Sequence, residues 1–297
     1  MVVANVPLMG QKESSITFGC YKMVVGGHME TITTEKNQKI PDERTWKNSA
    51  NILCNYMKKI EYLQMILENQ AIIPRYVIEP LDYLSIDGLF KIAFPMTCFC
   101  DIPFSKVNGH MRFYGQYGIA FNKDPFIKKF CVQPIHYMNI QSPLANDFKQ
   151  TFSEYFHSGK EASPKDKILV DYLLSTLLYM KPLSGIEEID GTKTRYVYQD
   201  ECEWRYIPTK NFPKKLNLIL VKEATERGRD IYSRALQDHE ETWIKFDWED
   251  IRYIIVPDDN ALHQIINVIR NLSINERERY LLISKIEVSA RFTEDLV

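Results

Sequence analysis

The sequence predicts an α+β protein whose core is built mainly from strands. Most of the patterned segments alternate apolar and polar residues with a period of two, which is typical of strands, and fewer show helical spacing. The strand segments also follow one another without the strand–helix alternation of parallel α/β folds. The chain has 297 residues, of which 45% are hydrophobic and 26% charged, so it can bury a sizeable core.

The first part of the chain differs from the rest. Residues 1–45 are polar and weakly patterned, and we interpret them as an N-terminal arm that contains a hairpin in "ITFGCYKMVVGGHMETIT". Such an arm cannot bury much apolar area alone, and we expect it to serve regulation or partner contact. Residues 46–297 are predicted to form the main domain.

From residue 50 onward, strands and helices can be placed from their patterns. The apolar residues from Ile60 to Leu67 recur at helical spacing, and Pro74 prevents the helix from continuing. Pro103 ends a strand, and Ser105 can cap the helix that follows. A helical insertion is predicted at about 145–185, and its apolar positions nearly encircle "KDKILVDYLLSTLLYMKPL", which predicts burial. The strands predicted in this part are "NILCNY", "IAFPMTCFCDIP", "QYGIAFNK" and "VQPIHYMNI".

The remainder returns to strands interrupted by two helices. The helices are predicted at 223–241 and in "NALHQIINVIRNL". The predicted strands are "TRYVYQ", "EWRYIP", "LNLILVK", "IKFDWEDIRYIIVPDD" and "YLLISKIEV".

Composition narrows the classes of function. A net charge of −2 gives no overall attraction to nucleic acid or to anionic membranes. No stretch of about 18 uncharged apolar residues is present, so we expect no membrane span. The chain lacks a secretory signal pattern, and we expect a cytoplasmic protein whose thiols are reduced. Its six cysteines are Cys20, Cys54, Cys98, Cys100, Cys131 and Cys202.

The pair Cys98 and Cys100 could belong to a metal site. Both thiols share one strand face and could be joined by His110 or Cys131. A zinc site needs about four ligands, however, and no second CxxC or HxxxH motif supplies them. The pattern favours small buried thiols over a metal centre.

The stretch "DECEWRYIPTK" (200–210) crowds three carboxylates against a cation. Asp200, Glu201 and Glu203 repel one another unless a positive group lies nearby. Arg205 shares a strand face with Glu203, so the two could form an ordinary ion pair. The carboxylates could equally contact a substrate.

Several motifs together resemble a known family. "IIPRY", "AFPMTCFCDIPFS", "FYGQYGIAF" and "WEDIRYIIV" are similar to the AbiGi-type abortive-infection (phage-resistance) family over about residues 50–290. The family in turn resembles a wider group with an E-x-E-W-R strand, matched here by Glu201 to Arg205. The order of elements resembles the ADP-ribosyltransferase fold, which implies a split β-sheet core.

This resemblance implies NAD as a substrate. Glu203 would stabilise the cation that forms when the nicotinamide–ribose bond breaks, and Glu201 would assist by orienting or deprotonating the acceptor. Related chains carry histidine where this chain has Asn55, whose amide can still donate and accept hydrogen bonds. Arg205 would hold the pyrophosphate. The remaining residues implied to line the cleft are Tyr56, Phe99, Asp101 and Tyr117.

A short basic stretch could bind the acceptor. Lys123, Lys128 and Lys129 follow the "YGIAF" strand, with Phe126 among them and Phe130 directly after them. Such a mixture of lysines and rings suits phosphates and stacked bases of RNA or single-stranded DNA. The same residues also suit a solvated helical turn whose two rings face the core.

These observations lead to a predicted function and its alternatives. The resemblance implies a toxin or effector of anti-phage defence, acting as an ADP-ribosyltransferase on nucleic acid or protein and controlled by an antitoxin or chaperone partner. One alternative is a non-catalytic antitoxin or sensor of the same family. The other is a metal-free ribonuclease of the HEPN type, because "RALQDH" has the required spacing between Arg234 and His239.

Overall fold

The computed structural model describes residues 14–18, 21–25, 49–158, 164–189, 191–210 and 212–292. The chain divides into two compact units, Met1–Trp46 and Lys47–Val297. In the first unit, strands β1 (Ser14–Phe18) and β2 (Tyr21–Val25) pair antiparallel, which is the hairpin predicted for the arm.

The second unit contains the remaining strands and all the helices of the described residues. Its strands are β3 (Ile52–Met57), β4 (Ala71–Ile72), β5 (Arg75–Pro80), β6 (Lys91–Cys100), β7 (Tyr117–Asn122), β8 (Gln133–Pro134), β9 (His136–Met138), β10 (Met180–Pro182), β11 (Ser184–Ile189), β12 (Thr192–Val197), β13 (Glu203–Tyr206), β14 (Ile244–Lys245), β15 (Ile251–Val256) and β16 (Ile286–Val288). Its α-helices are α1 (Ile60–Asn69), α2 (Asn108–Tyr114), α3 (Lys123–Phe130), α4 (Pro143–Ser158), α5 (Pro164–Leu178), α6 (Glu226–Ala235), α7 (Asp259–Asn271) and α8 (Glu276–Ile283).

One eight-stranded sheet organises this unit. Its strand order is β16-β15-β7-β3-β6-β13-β8, and β5 also pairs with β6. Of these pairings, β15–β16 is parallel and the others are antiparallel. This mixed sheet with helices in irregular order confirms the predicted α+β class.

The sheet is nearly divided at its centre. β3 pairs with β7 along its full length, but it pairs with β6 only through Cys54 and Cys100. Beyond that pair, the side-chain amide of Asn55 donates a hydrogen bond to the carbonyl oxygen of Cys98 at 2.8 Å. A side chain thus takes the place of the backbone ladder, and the two strands diverge there.

Apolar residues cover the sheet in separate clusters. The larger cluster packs α1 and α7 against β3, β7 and β15, and includes Leu63 of α1, Phe121 of β7 and Ile265 of α7. A second cluster packs α4 and α5 against β6, with Phe148 of α4 and Leu173 of α5 among its members. Successive side chains of a strand point to opposite faces, so Phe99 belongs to the first cluster while Cys98 packs against the second.

The structure corrects the burial predicted for the helical insertion. α5 buries Leu173 and Leu177, but its other apolar stripe is open, with Ile168 77% and Tyr172 65% exposed. An apolar helix is buried all round only if it has neighbours on every side. α5 buries one stripe, so the prediction was wrong for the other.

Three predicted strands also differ from the structure. "LNLILVK" forms no strand and touches β6 through the single bridge of Leu220 with Ala93. "YLLISKIEV" is divided between α8 and β16, because Asn275 and Glu278 form a capping box that starts a helix. "IKFDWEDIRYIIVPDD" is divided into β14 and β15.

No helix among the described residues is both long enough and apolar enough to cross a lipid bilayer.

Candidate functional site

A cavity of about 260 Å³ opens where β3 and β6 diverge. Residues of β3, β5, β6, α2 and β10 line it, together with two acidic residues near the start of β13. The lining residues are Cys54, Asn55, Tyr56, Val77, Glu79, Cys98, Phe99, Cys100, His110, Tyr114, Lys181, Glu201 and Glu203.

The two acidic residues of the cavity belong to different backbone elements. Glu203 is the first residue of β13 and lies opposite Cys100 of β6. Glu201 ends the 3-10 turn Tyr198–Glu201, and Cys202 then adopts a left-handed backbone conformation with φ of 44°. The sequence pattern had predicted that Glu201 and Glu203 lie on one strand, but Glu201 belongs to the turn that precedes β13. Both side chains nevertheless contact Lys181.

A buried ion network surrounds Glu203. Its Oε1 accepts from Nε of Arg205 at 2.6 Å, and its Oε2 accepts from Nζ of Lys181 at 3.0 Å. Lys181 also donates to Oε2 of Glu201 at 2.8 Å. Burial raises the pKa of Glu203, but the positive charges of Arg205 and Lys181 outweigh it and lower that pKa to about 2. Glu203 is therefore ionised at neutral pH.

Arg205 lies behind the cavity and not in it. It is fully buried, and it donates to the carbonyl oxygen of Leu178 at 2.8 Å and to Oε2 of Glu79 at 3.0 Å, in addition to Glu203. All three nitrogens of its guanidinium group are thus engaged within the protein. The structure places Arg205 in the ion pair with Glu203 and gives it no free edge for the pyrophosphate.

Aromatic side chains form another wall of the cavity. The ring of His110 lies 5.7 Å from that of Tyr56 and 4.4 Å from that of Tyr114, and the Tyr114 hydroxyl donates to Oε1 of Glu201. Burial is the main cause that lowers the pKa of His110 to about 4, so its imidazole is neutral at pH 7. The Tyr56 hydroxyl is buried and has no hydrogen-bond partner among the described residues.

Gly115 fixes this aromatic wall against the sheet. It follows α2 with φ of 126°, and a Cβ atom there would lie 2.1 Å from the backbone carbonyl atoms of Met57. Only glycine tolerates both this conformation and this approach. The end of α2 can therefore pack directly on β3, which brings His110 and Tyr114 to the cavity.

Three thiols complete the lining. Cys54 and Cys100 are buried and Cys98 is partly buried, and each is a free thiol. Burial raises the pKa of all three, to about 12 for Cys100, so they are protonated at neutral pH. Among the residues that the structure describes, no three His, Cys, Asp or Glu side chains are grouped to hold a metal ion.

The cavity brings together part of the predicted site. Asn55, Tyr56, Phe99, Glu201 and Glu203 all line it. The ring of Phe99, however, packs on two phenylalanines of the core, with centroids 6.2 and 5.2 Å away, and is only 2% exposed. Phe99 therefore contributes to the wall without offering its ring to a ligand.

Two further predicted residues lie elsewhere. Asp101 forms an ion pair with Lys123 and accepts a hydrogen bond from the backbone N–H of Ala50 at 2.8 Å. Tyr117 packs against the larger core cluster. Neither lines the cavity.

The cavity is also lined by residues that the sequence patterns did not indicate. Lys181 and Glu79 had drawn no attention, although a lysine inside the apolar "YMKPL" segment was a detectable signal for a buried partner. His110 was considered only as a possible metal ligand, and its spacing of four residues from Tyr114 places both on the same side of α2.

The basic stretch is mostly occupied by ion pairs. Lys123 pairs with Asp101, and Lys129 pairs with Asp247 and Asp250 at 2.6 Å each, whereas Lys128 is exposed. Phe126 is buried, and its ring stacks on Phe121 with centroids 4.3 Å apart. Its ring is therefore not available to stack on a base.

The ribonuclease motif does not form a shared helical face. α6 ends at Ala235, directly after Arg234, and a 3-10 turn, Leu236–Asp238, separates that helix from His239, whose Nδ1 contacts Glu241 at 2.9 Å. The surrounding sheet also differs from the helical bundle that the HEPN resemblance requires.

Comparison with known proteins identifies the family. The family described as "Putative abortive phage resistance protein AbiGi, antitoxin" matches residues 70–257, which is more than half of the chain. The chain belongs to the AbiGi family. It is also similar to "Abortive phage resistance protein AbiGi" of Lactococcus lactis subsp. cremoris, with 29% identity over 250 residues that cover 76% of this chain and 99% of the relative.

Membership of the AbiGi family confirms the resemblance drawn from the sequence motifs and supports a role in anti-phage defence. The matched region spans most of the cavity residues, from Val77 to Glu203, but begins after β3. No solved structure matches the chain.

Proposed function

We propose that this AbiGi-family chain acts in anti-phage defence as an antitoxin, a protein that binds and restrains a toxin of the same abortive-infection system. The observation that carries the proposal is the match to a family described as an antitoxin. Restraint by binding requires no catalytic group, only a folded surface that is complementary to the toxin.

The geometry of the cavity supports a binding role over a catalytic one. A catalytic carboxylate must be able to contact the reacting atoms of a substrate. Both oxygens of Glu203 are already held by Arg205 and Lys181, and both oxygens of Glu201 are held by Tyr114 and Lys181. These carboxylates are arranged as members of a closed network that stabilises the fold.

Co-expression with the cognate toxin tests this proposal. The toxin is taken from the gene beside the one that encodes this chain, and colony counts are compared with and without the chain. We expect the chain to restore growth, and the two proteins to co-purify. The variant Glu203→Gln should restore growth as well, provided that it folds. If the chain arrests growth when it is expressed alone, and Glu203→Gln does not, the chain is the toxin.

A second candidate function is NAD-dependent ADP-ribosyl transfer, and one observation favours it. Residues that the family resemblance implied, namely Asn55, Tyr56, Glu201 and Glu203, converge on a single cavity although they are far apart in the chain. The volume of about 260 Å³ lies just below the usual range for ligand pockets, and it suits the nicotinamide–ribose half of NAD better than the whole molecule.

In this candidate, ionised Glu203 would stabilise the positive charge that develops on the ribose, with Glu201 beside it. Glu203 would first have to exchange its contact with Lys181 for the ribose. Lys128, which is exposed, is the lysine of the basic stretch best placed to meet an acceptor such as RNA or single-stranded DNA.

Radiolabelled NAD separates the two candidates. An ADP-ribosyltransferase transfers label from NAD to protein or nucleic acid in an infected lysate, and Glu203→Gln should lower the rate by at least about a hundredfold. An antitoxin leaves the label on NAD. Protease and nuclease digestion of any labelled product would then identify the acceptor.

A further inference from the structure

The formal charges of the cavity residues do not sum to zero. Three carboxylates, those of Glu79, Glu201 and Glu203, face two positive groups, Lys181 and Arg205. One negative charge is therefore in excess. His110 does not compensate it, because the imidazole is neutral at pH 7. A surplus charge on largely buried side chains is costly unless a ligand or a counter-ion neutralises it.

Of these three carboxylates, Glu79 has the fewest partners among the described residues. Each oxygen of Glu201 and of Glu203 accepts a hydrogen bond from a described side chain. Within the described part of the chain, Glu79 accepts one, at Oε2 from Arg205 over 3.0 Å; its side chain is 13% exposed and lines the cavity. Of the three described carboxylates in this cavity, Glu79 is thus the one with an oxygen that accepts from no described side chain.

The other walls select the shape and the charge of that ligand. Tyr56, His110 and Tyr114 present aromatic rings, which favour a flat group and attract a cation over the ring face. Lys181 is held by two carboxylates, and Arg205 is fully buried. Two carboxylates already oppose the single charge of Lys181, so neither cation offers an unpaired charge to a phosphate or a carboxylate group.

We propose that the cavity binds a small planar organic cation, with Glu79 as the carboxylate that pairs with its positive group and the aromatic wall against its flat face. The ligand carries no phosphate inside the cavity. The inference depends on neither candidate function, because an antitoxin could use such a ligand as a signal and an enzyme could use it as a substrate.

Three probes with the same ring and different charges test this proposal. Benzamidine is a cation, benzamide is its neutral counterpart of nearly equal shape, and benzoate is an anion. Titration calorimetry on the full chain should show that benzamidine binds at least about tenfold more tightly than benzamide, with no binding of benzoate. Equal affinity for the three probes, preference for benzoate, or no binding of any of them would overturn the proposal.

A matched pair of variants tests the role of Glu79. Glu79→Gln keeps the shape and one acceptor for Arg205 but removes the charge, so the preference for benzamidine over benzamide should disappear. Glu241→Gln removes an exposed carboxylate that does not line the cavity, and the preference should remain. If folded Glu79→Gln still prefers the cation, the assignment of Glu79 is wrong.

A measurement on the unmodified chain covers the case in which Glu79→Gln does not fold. Benzamidine should shift the imidazole NMR signals of His110, which lines the cavity, and should leave those of His263, which is exposed on α7, unchanged. Saturating binding without a shift at His110 would place the ligand elsewhere and overturn the proposal.

Discussion

Replacing Arg205 with methionine should destabilise the protein strongly. Arg205 is fully buried and joins two carboxylates, Glu203 at 2.6 Å and Glu79 at 3.0 Å, to the carbonyl oxygen of Leu178. Methionine approximates the length of the arginine side chain but supplies neither charge nor donors. Two carboxylates and a carbonyl oxygen would then lose partners inside the protein.

The expected loss in the free energy of unfolding is about 3–5 kcal/mol, the cost of removing one partner from a buried ion pair. The pKa of Glu203 gives a similar magnitude, because a decrease from its usual 4.5 to about 2 corresponds to about 3 kcal/mol. The folded pKa is the lower one, so this contribution is complete above pH 4.5 and is lost as the pH falls toward 2. In Arg205→Met, the acid-sensitive part of the stability should shrink.

Urea unfolding at pH 7 and at pH 3 measures both effects. Arg227→Met, which changes an exposed arginine of α6, serves as the control and should alter stability by less than about 0.5 kcal/mol. Adding Glu203→Gln to Arg205→Met should recover part of the loss, because the uncompensated charge is then absent. A loss below about 1 kcal/mol for Arg205→Met would refute the reasoning.

Three further predictions concern single positions. Gly115→Ala should lower the free energy of unfolding by at least about 2 kcal/mol in thermal unfolding, because the φ of Gly115 is 126° and an added Cβ would overlap the backbone of β3. Gly109→Ala is the control: an added Cβ at this position of α2 meets no atom within 4 Å, so the change should be neutral or stabilising. Ile168→Asp should change stability little, because Ile168 is 77% exposed. Leu173→Asp, on the buried stripe of the same helix, should unfold α5, and far-ultraviolet circular dichroism would show the loss of helix. Stability should decline as the pH falls from 6.5 toward 4, because the unfolded chain then binds a proton that His110 does not bind in the folded state. His110→Gln should remove about 3 kcal/mol of that decline in denaturant titrations.

The spacing of apolar residues predicted individual helices and strands, because neighbouring residues determine those elements. The spacing of Leu63, Ile66 and Leu67 required a helix, and the structure ends it at Asn69. Alternation in "CFC" required a strand, so the opposite orientations of Cys98 and Phe99 could be predicted as well.

The cavity could be predicted only in part, because its charges are paired through long-range contacts. Glu203 and Arg205 are two residues apart, and their ion pair was visible in the sequence. Lys181 and Glu79 join them from separate strands, and no sequence period connects those positions. The burial of α5 was mispredicted for the same reason, since composition shows how apolar a helix is but not how many neighbours it has.

β3 and β6 are joined by a single backbone residue pair, and this junction affects how the second unit unfolds locally. Cys54 and Cys100 supply the sole backbone pairing across it among the described residues, and Asn55 adds one side-chain hydrogen bond. The strands on either side are paired over many residues, so each half-sheet is a cooperative unit of its own, and native-state hydrogen exchange should release the junction before either half. A molecule that contacts both β3 and β6 joins the two halves, and its occupancy can be followed by the slowing of amide exchange along this line.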